Sequence, residues 1–193
     1  MPSPSGSSSA GIDIGSRRLE LRVGDITTEA VDAIGNAANE SLRGGGGVDG
    51  AIHAAAGPAL LEELRRRYPN GTPTGTAVPT DGHGLPARWV IHAVGPVWRG
   101  GSHGEPELLA GAYRSMLRVA DELGAAALAL PAISMGIYGY PMEAGARVAI
   151  ESVLAGLREA SALELVRFVL RPATWDAFAA ALSAVAITGS ASE

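Results

Sequence analysis

Residues 36–53 read NAANESLRGGGGVDGAIH, and the reading of this stretch decides the fold. Just before it, Val31–Asn36 has the character of a strand, ending in the polar run Asn36-Ala37-Ala38-Asn39. After it, Asp49 to Arg67 has helical spacing, with Ile52, Ala55, Ala56, Leu60 and Leu64 along one face. Between the two lie four consecutive glycines, Gly44–Gly47. Such a run can be a flexible linker. Here it is short and joins a strand to a helix, where glycines let backbone N–H groups approach a phosphate or a sugar closely.

Strands and helices interleave outward from this point. Leu19–Val23, Thr76–Pro79, Trp89–Ala93, Ala126–Leu130 and Leu165–Leu170 read as further strands. Glu107 to Leu123, Pro141 to about Glu159 and Pro172 to about Ala186 read as helices, with Pro141 suited to a first helical position. The pattern predicts an α/β protein, a sheet between layers of helices. Strand pairs with no helix between them make the sheet mixed. Residues 1–16, rich in Ser, Gly and Pro, are expected to be a disordered tail. Residues 17–187 form the folded domain, and 188–193 a short polar tail.

Composition removes several kinds of chemistry. The chain has 193 residues and no cysteine, which excludes disulfides, thiolate nucleophiles and cysteine-bound metal. All 15 basic residues are arginine, so neither a Schiff-base lysine nor a phosphate-loop lysine is present. A net charge of -5 makes nucleic acid a poor partner. No apolar run approaches the ~20 residues of a membrane span, and no secretory signal pattern opens the chain. We expect a cytoplasmic protein. The four histidines show no metal-binding spacing, and no G-x-G-x-x-G with a following acidic residue fits, so neither a metal nor a cofactor is expected.

Three stretches carry the remaining polar residues of interest: GDIT at 24–27, residues 36–53, and PAISMGIYGYP at 131–141. The second and third each follow a strand and lead into a helix, which places them on one rim of the sheet where α/β proteins bind ligands. Two glycine-bearing loops facing one another suit a pyrophosphate held by backbone dipoles. Asp49 can cap the following helix, and His53, four residues on, shares its face. Either can be structural or chemical. Asn36 and Asn39 are turn residues or holders of sugar hydroxyls. Asp25 can cap the turn at Thr27–Ala30. Tyr138, between two glycines, fits a platform for a sugar or base better than a core position. His92, in an apolar strand, reads as a core residue with its hydrogen bonds satisfied.

With these residues in view, the sequence resembles the macrodomains, and the MacroD-type branch closely, over about residues 19–187. The resemblance is carried by Asn36-Ala-Ala-Asn39, Gly44–Gly47 and Val48-Asp49-Gly50-Ala51-Ile52-His53. GDIT precedes this run, and Ile91–Pro96 and ISMGIYGYP follow it. It implies a three-layer α/β/α sandwich with a mixed, mostly parallel sheet, and ADP-ribose as ligand. Asp25 would accept a hydrogen bond from the adenine amino group, with the Ile26 backbone beside it. Asn39, catalytic together with Asp49 and His53, would hold the distal ribose, and Asn36 would also bind the ligand. Gly45, Gly46, Gly47 and Val48 would wrap the ribose and phosphates. Asp49 would sit near the anomeric carbon, supported by His53. Ser134, Met135, Gly136, Ile137 and Tyr138 would form the diphosphate loop, Tyr138 packing on the distal ribose. Phenylalanine is common in the family at 138 and threonine at 135. The resemblance further implies a monomeric hydrolase that removes mono-ADP-ribose from acidic side chains of proteins and deacetylates O-acetyl-ADP-ribose. The alternative is a non-catalytic ADP-ribose reader.

Overall fold

The computed structural model describes residues 9–189, with side chains to 187. Seven strands form one sheet: β1 (Ser9–Ile14), β2 (Arg17–Val23), β3 (Ala33–Ala38), β4 (Ala77–Asp81), β5 (Trp89–Val94), β6 (Ala127–Leu130) and β7 (Leu165–Leu170). Their order is β1-β2-β7-β6-β3-β5-β4. The inner pairs are parallel, and only the edge strands β1 and β4 run antiparallel to their neighbours. Five helices cover it: α1 (Gly47–Ala56), α2 (Pro58–Arg67), α3 (Glu105–Glu122), α4 (Met142–Glu159) and α5 (Pro172–Gly189). The chain is thus the mixed, mostly parallel α/β/α sandwich expected of it.

The layering follows from the period-two alternation of side chains along a strand. In β5, Ile91 and Ala93 join a core with α3, α4 and α5, while Val90 and Val94 join a second core with α1 and α2. Ala33 and Ile34 of β3 divide in the same way. Both faces of the central strands are therefore apolar, as a covered parallel sheet requires.

Four expectations need correction. Residues 9–14, assigned to the disordered tail, are β1, paired with β2 so that Ile12 lies opposite Leu19. Ala10, Ile12 and Ile14 alternate with Gly11 and Asp13, and the apolar set packs on the core. The Ser-rich composition upstream obscures that alternation; residues 1–8 lie outside the described residues. At the other end α5 runs to Gly189, which takes in 188 and 189 of the expected polar tail; 190–193 lie outside the described residues. The helix expected from Asp49 to Arg67 is two helices. Gly57, at φ 83°, breaks it, and Pro58 starts α2 without needing an N–H partner. Pro141 stands one residue earlier than expected, capping α4 rather than opening it.

Among the described residues, no helix is long and apolar enough to cross a membrane.

Candidate functional site: a cleft at the carboxyl ends of the strands

The helix after β3 goes to one face of the sheet and the helix after β6 to the other, although β3 and β6 are neighbours. A crevice must open between their carboxyl ends. It is a cleft of about 630 Å³, within the range of small-molecule sites. Gly24, Asp25 and Ile26 line it on one side, Asn39 and Gly45–Asp49 on the second, and Pro131–Tyr138 on the third.

Each wall is built by local chemistry. Asp25 caps a single turn of 3-10 helix at Ile26–Thr28. Its Oδ1 accepts from the Thr27 N–H at 2.9 Å and the Thr27 hydroxyl at 2.7 Å. These bonds hold its carboxyl below the usual carboxylate range. The segment is tied to the sheet by Arg167, which bonds Glu20 and, at 2.6 Å, the buried carboxylate of Glu29.

The glycine run is a shaped loop. Asn39 closes it, its amide donating to Gly44 O at 2.9 Å while its Oδ1 accepts from the Ser41 hydroxyl at 2.6 Å. A Cβ on Gly50 would come within 2.7 Å of the Gly45 carbonyl, and one on Gly45 within 3.0 Å of Asp49 Oδ2. The N-cap of α1 is Gly46, which offers no side chain, so the first amide groups of the helix stay available to a ligand.

Asp49 is not the N-cap. It lies in the first turn of α1, 4% exposed. Asn36 Nδ2 donates to its Oδ1 at 2.7 Å, and His53 Nε2 lies 3.4 Å from the same oxygen. Burial pushes the Asp49 carboxyl up, against the opposing pull of Asn36 and His53.

The third wall rests on a phenol that the sequence did not mark. Tyr113 of α3, fully buried, accepts from the Ile133 N–H at 2.9 Å and donates to Pro131 O at 3.1 Å. This fixes the root of the loop. Ser134 has a φ of 66°, and its hydroxyl is buried without a partner. A side chain at Gly95 would overlap that hydroxyl, so glycine there admits the loop. The Trp98 N–H donates to Tyr138 O at 2.9 Å and holds the far end. Tyr138 is half-buried on the cleft wall.

Of the fifteen residues singled out from the sequence, thirteen line the cleft: Asp25, Ile26, Asn39, Gly45, Gly46, Gly47, Val48, Asp49, Ser134, Met135, Gly136, Ile137 and Tyr138. Two do not. His53 lies behind Asp49 with its ring beneath Gly44. Asn36, expected to touch ligand, is in β3 with no exposed surface, under Asp49. Its alternation with Ile34 and Ala38, which share a core, was the signal that its side chain points into that layer.

Sequence reasoning missed Arg171, Ala173 and Thr174, which line the cleft after β7. Arg171 is its one basic lining residue among the described residues. The rule that ligands bind at the carboxyl ends of strands could have found it. Among the described residues, no group of three or more His, Asp or Glu side chains is placed to hold a metal.

The fold and this cleft define a ligand-binding α/β/α domain in which two glycine-bearing loops and a buried carboxylate converge. The sequence profile of the Macro domain family matches residues 35–149, and the chain belongs to that family. It is 52% identical over 168 residues to a macro domain-containing protein of Streptomyces coelicolor, covering 85% of this chain and 98% of that one. The Oceanobacillus iheyensis macrodomain with ADP superposes with a TM-score of 0.89 at 39% identity, covering 95% of this chain and all of that one. The Trypanosoma brucei macrodomain in complex with ADP-ribose gives 0.76 at 39% identity, covering 83% of this chain and 67% of that one.

Proposed function

We propose that the cleft binds ADP-ribose and that the protein is a MacroD-type hydrolase. It removes mono-ADP-ribose from acidic side chains of proteins and deacetylates O-acetyl-ADP-ribose. The observation that carries this reading is Asp49, a buried carboxylate beside the glycine loop, with Oδ1 held by Asn36 and Oδ2 adjoining Gly45. Asp25 takes the adenine amino group, and Arg171 supplies positive charge toward the diphosphate. The α1 amides and the 134–138 loop hold the phosphates, and Tyr138 and Asn39 hold the distal ribose.

Water oriented by Asp49 attacks the anomeric carbon. The bond from that carbon to the ester oxygen breaks, its electron pair leaves with the side-chain carboxylate, and the water proton passes to Asp49. A carboxylate whose conjugate acid has a pKa of ~4 departs unprotonated at neutral pH, so one positioned base suffices. For the acetyl ester the same water adds to the acetyl carbonyl and gives its proton to Asp49; the adduct then collapses, the bond from the acyl carbon to the ribose oxygen breaks, and Asp49 returns the proton to that oxygen as acetate leaves. The same reading takes the protein as a monomer acting in the cytoplasm.

A reader without turnover is favoured by one observation: Asp49 is only 4% exposed. The deciding experiment measures free ADP-ribose released from a protein modified on acidic residues, with Asp49→Ala as control. Release by the wild type and not by the variant is expected. Binding without release establishes the reader.

A further inference from the structure

Beneath the cleft, three polar side chains interrupt an otherwise apolar layer. In β3 the residues facing α1 and α2 are Ile34, Asn36 and Ala38; in β5 they are Val90, His92 and Val94. Asn36 and His92 are register partners across this parallel pair, and Thr80 of the edge strand β4 lies diagonally beyond His92. Asn36 and His92 have no exposed surface, and Thr80 is 1% exposed. Polar groups buried this deeply cost stability unless each is paired, and an apolar trio of the same shape would serve the core as well.

Their hydrogen bonds form a single chain that ends on Asp49. The amide nitrogen of Asn36 can only donate, and it contacts Asp49 Oδ1 at 2.7 Å and His92 Nδ1 at 3.0 Å. Nδ1 must therefore be unprotonated, and the one proton of the neutral ring sits on Nε2, which donates to Thr80 Oγ1 at 2.9 Å. Asn36 Oδ1 is left buried without a partner. Turning the amide over would set that oxygen against the Asp49 carboxylate, so both donors stay committed while Asp49 is ionised. With Oδ1 of Asp49 held from below, Oδ2 is the oxygen left beside Gly45 on the cleft wall.

We propose that Thr80, His92 and Asn36 are positioning residues, a buried relay from the edge of the sheet that holds the Asp49 carboxylate in one orientation. Burial, the main cause, pushes His92 down to about 3, so the ring stays a neutral acceptor throughout the range in which the protein would work. His92 touches no ligand. Its action passes through Asn36.

The turnover arm of the test rests on the hydrolase reading; the structural arm does not. His92→Leu removes the acceptor facing Asn36, and His92→Asn restores an oxygen close to the position of Nδ1. Thr80→Val keeps the shape of the edge residue and removes only the outer anchor. The Asn36 side-chain amide is followed by nitrogen-15 NMR, assigned by its loss in Asn36→Ser. ADP-ribose affinity and turnover of an acidic-residue ester are measured alongside.

In the wild type both amide protons exchange slowly. In His92→Leu one becomes exposed to exchange, turnover falls about 10-fold or more, and affinity stays within about 3-fold. His92→Asn recovers most of the protection and the turnover. Thr80→Val folds and loses about 3-fold in turnover. Unchanged Asn36 signals in His92→Leu and in Thr80→Val overturn the relay. So does equal loss of affinity and turnover, because a merely structural residue lowers the folded fraction and leaves the ratio alone. A wild type that binds ADP-ribose without turnover, yet whose Asn36 signals respond as stated, removes the hydrolase reading and supports the relay as the support of a binding carboxylate.

Discussion

Ile137 meets Gly46 across the mouth of the cleft: a Cβ on Gly46 would lie 3.3 Å from Ile137 Cδ1. Ile137 is otherwise 83% exposed, so the contact belongs to the two ligand loops and not to the core. Gly46 has a φ of -96°, which any residue adopts, so its side chain can be changed without backbone strain.

Gly46→Glu is therefore expected to fold and to lose ADP-ribose binding by about 100-fold or more. It sets bulk against Ile137 and a negative charge beside the diphosphate. Circular dichroism with calorimetric titration checks both halves, and wild-type affinity in a folded variant would show that the loop does not meet the ligand.

Asp25→Ala is expected to weaken ADP-ribose about 10- to 150-fold, the value of a hydrogen bond to a charged group worth ~1.5–3 kcal/mol. Ribose 5-phosphate, which has no adenine, should bind both proteins alike. Loss of affinity for that fragment would mean the 3-10 turn itself had collapsed.

Asp49→Asn separates chemistry from binding. Turnover should fall far more than affinity if, as proposed, the carboxylate acts on the attacking water. Asp49 does not cap α1, so no cap energy is lost. Its carboxyl is pushed above 3.8 by burial, so the ionised form weighs against the fold above that raised value, and the amide should leave the melting temperature unchanged or higher at pH 7. For the same reason the acid limb of kcat/KM in the wild type should lie above 3.8. A markedly lower melting temperature, or a limb below that value, contradicts the assigned environment.

His92 gives the stability a pH dependence of known sign. Its pKa falls from 6.5 to about 3 on folding. Between these values the unfolded chain carries a proton at His92 that the folded chain does not. Stability should therefore drop as pH falls below 6.5, by about 1.4 kcal/mol per unit from this group alone. Urea unfolding at pH 7, 6 and 5 should show a shallower loss in His92→Asn than in the wild type. Parallel slopes would show that the ring titrates in the folded state.

Substrate linkage tests the leaving-group argument. Acidic-residue esters should be cleaved in the presence of EDTA, and serine- or arginine-linked ADP-ribose little or not at all. Those groups would need a strong general acid or a metal to depart. Proteins modified at a single residue type make the comparison direct, and efficient cleavage of the serine linkage would refute it.

The sequence by itself determined the α/β class, the rim on which the loops after β3 and β6 meet, and the identity of the cleft-lining glycines. These follow from short-range signals: the apolar run Trp89–Ala93, helical spacing from Ile52 to Leu64, and glycines between a strand and a helix. Only the tertiary structure decided which polar residues face the ligand and which lie beneath it. Asn36 and Asn39 stand three apart in one motif, yet Asn39 lines the cleft while Asn36 is buried against His92, 56 residues away. Tyr113 reaches the loop root from a helix 20 residues before Ile133, and Arg171 enters the cleft from the end of β7, the neighbour of β6. Residues 9–14 became a strand because the open edge of β2 offered partners to their backbone and the core took Ile12 and Ile14. Spacing along the chain sets the face of an element on which a side chain stands. Strand order and helix placement set what that face meets, and those depend on contacts between segments far apart in sequence.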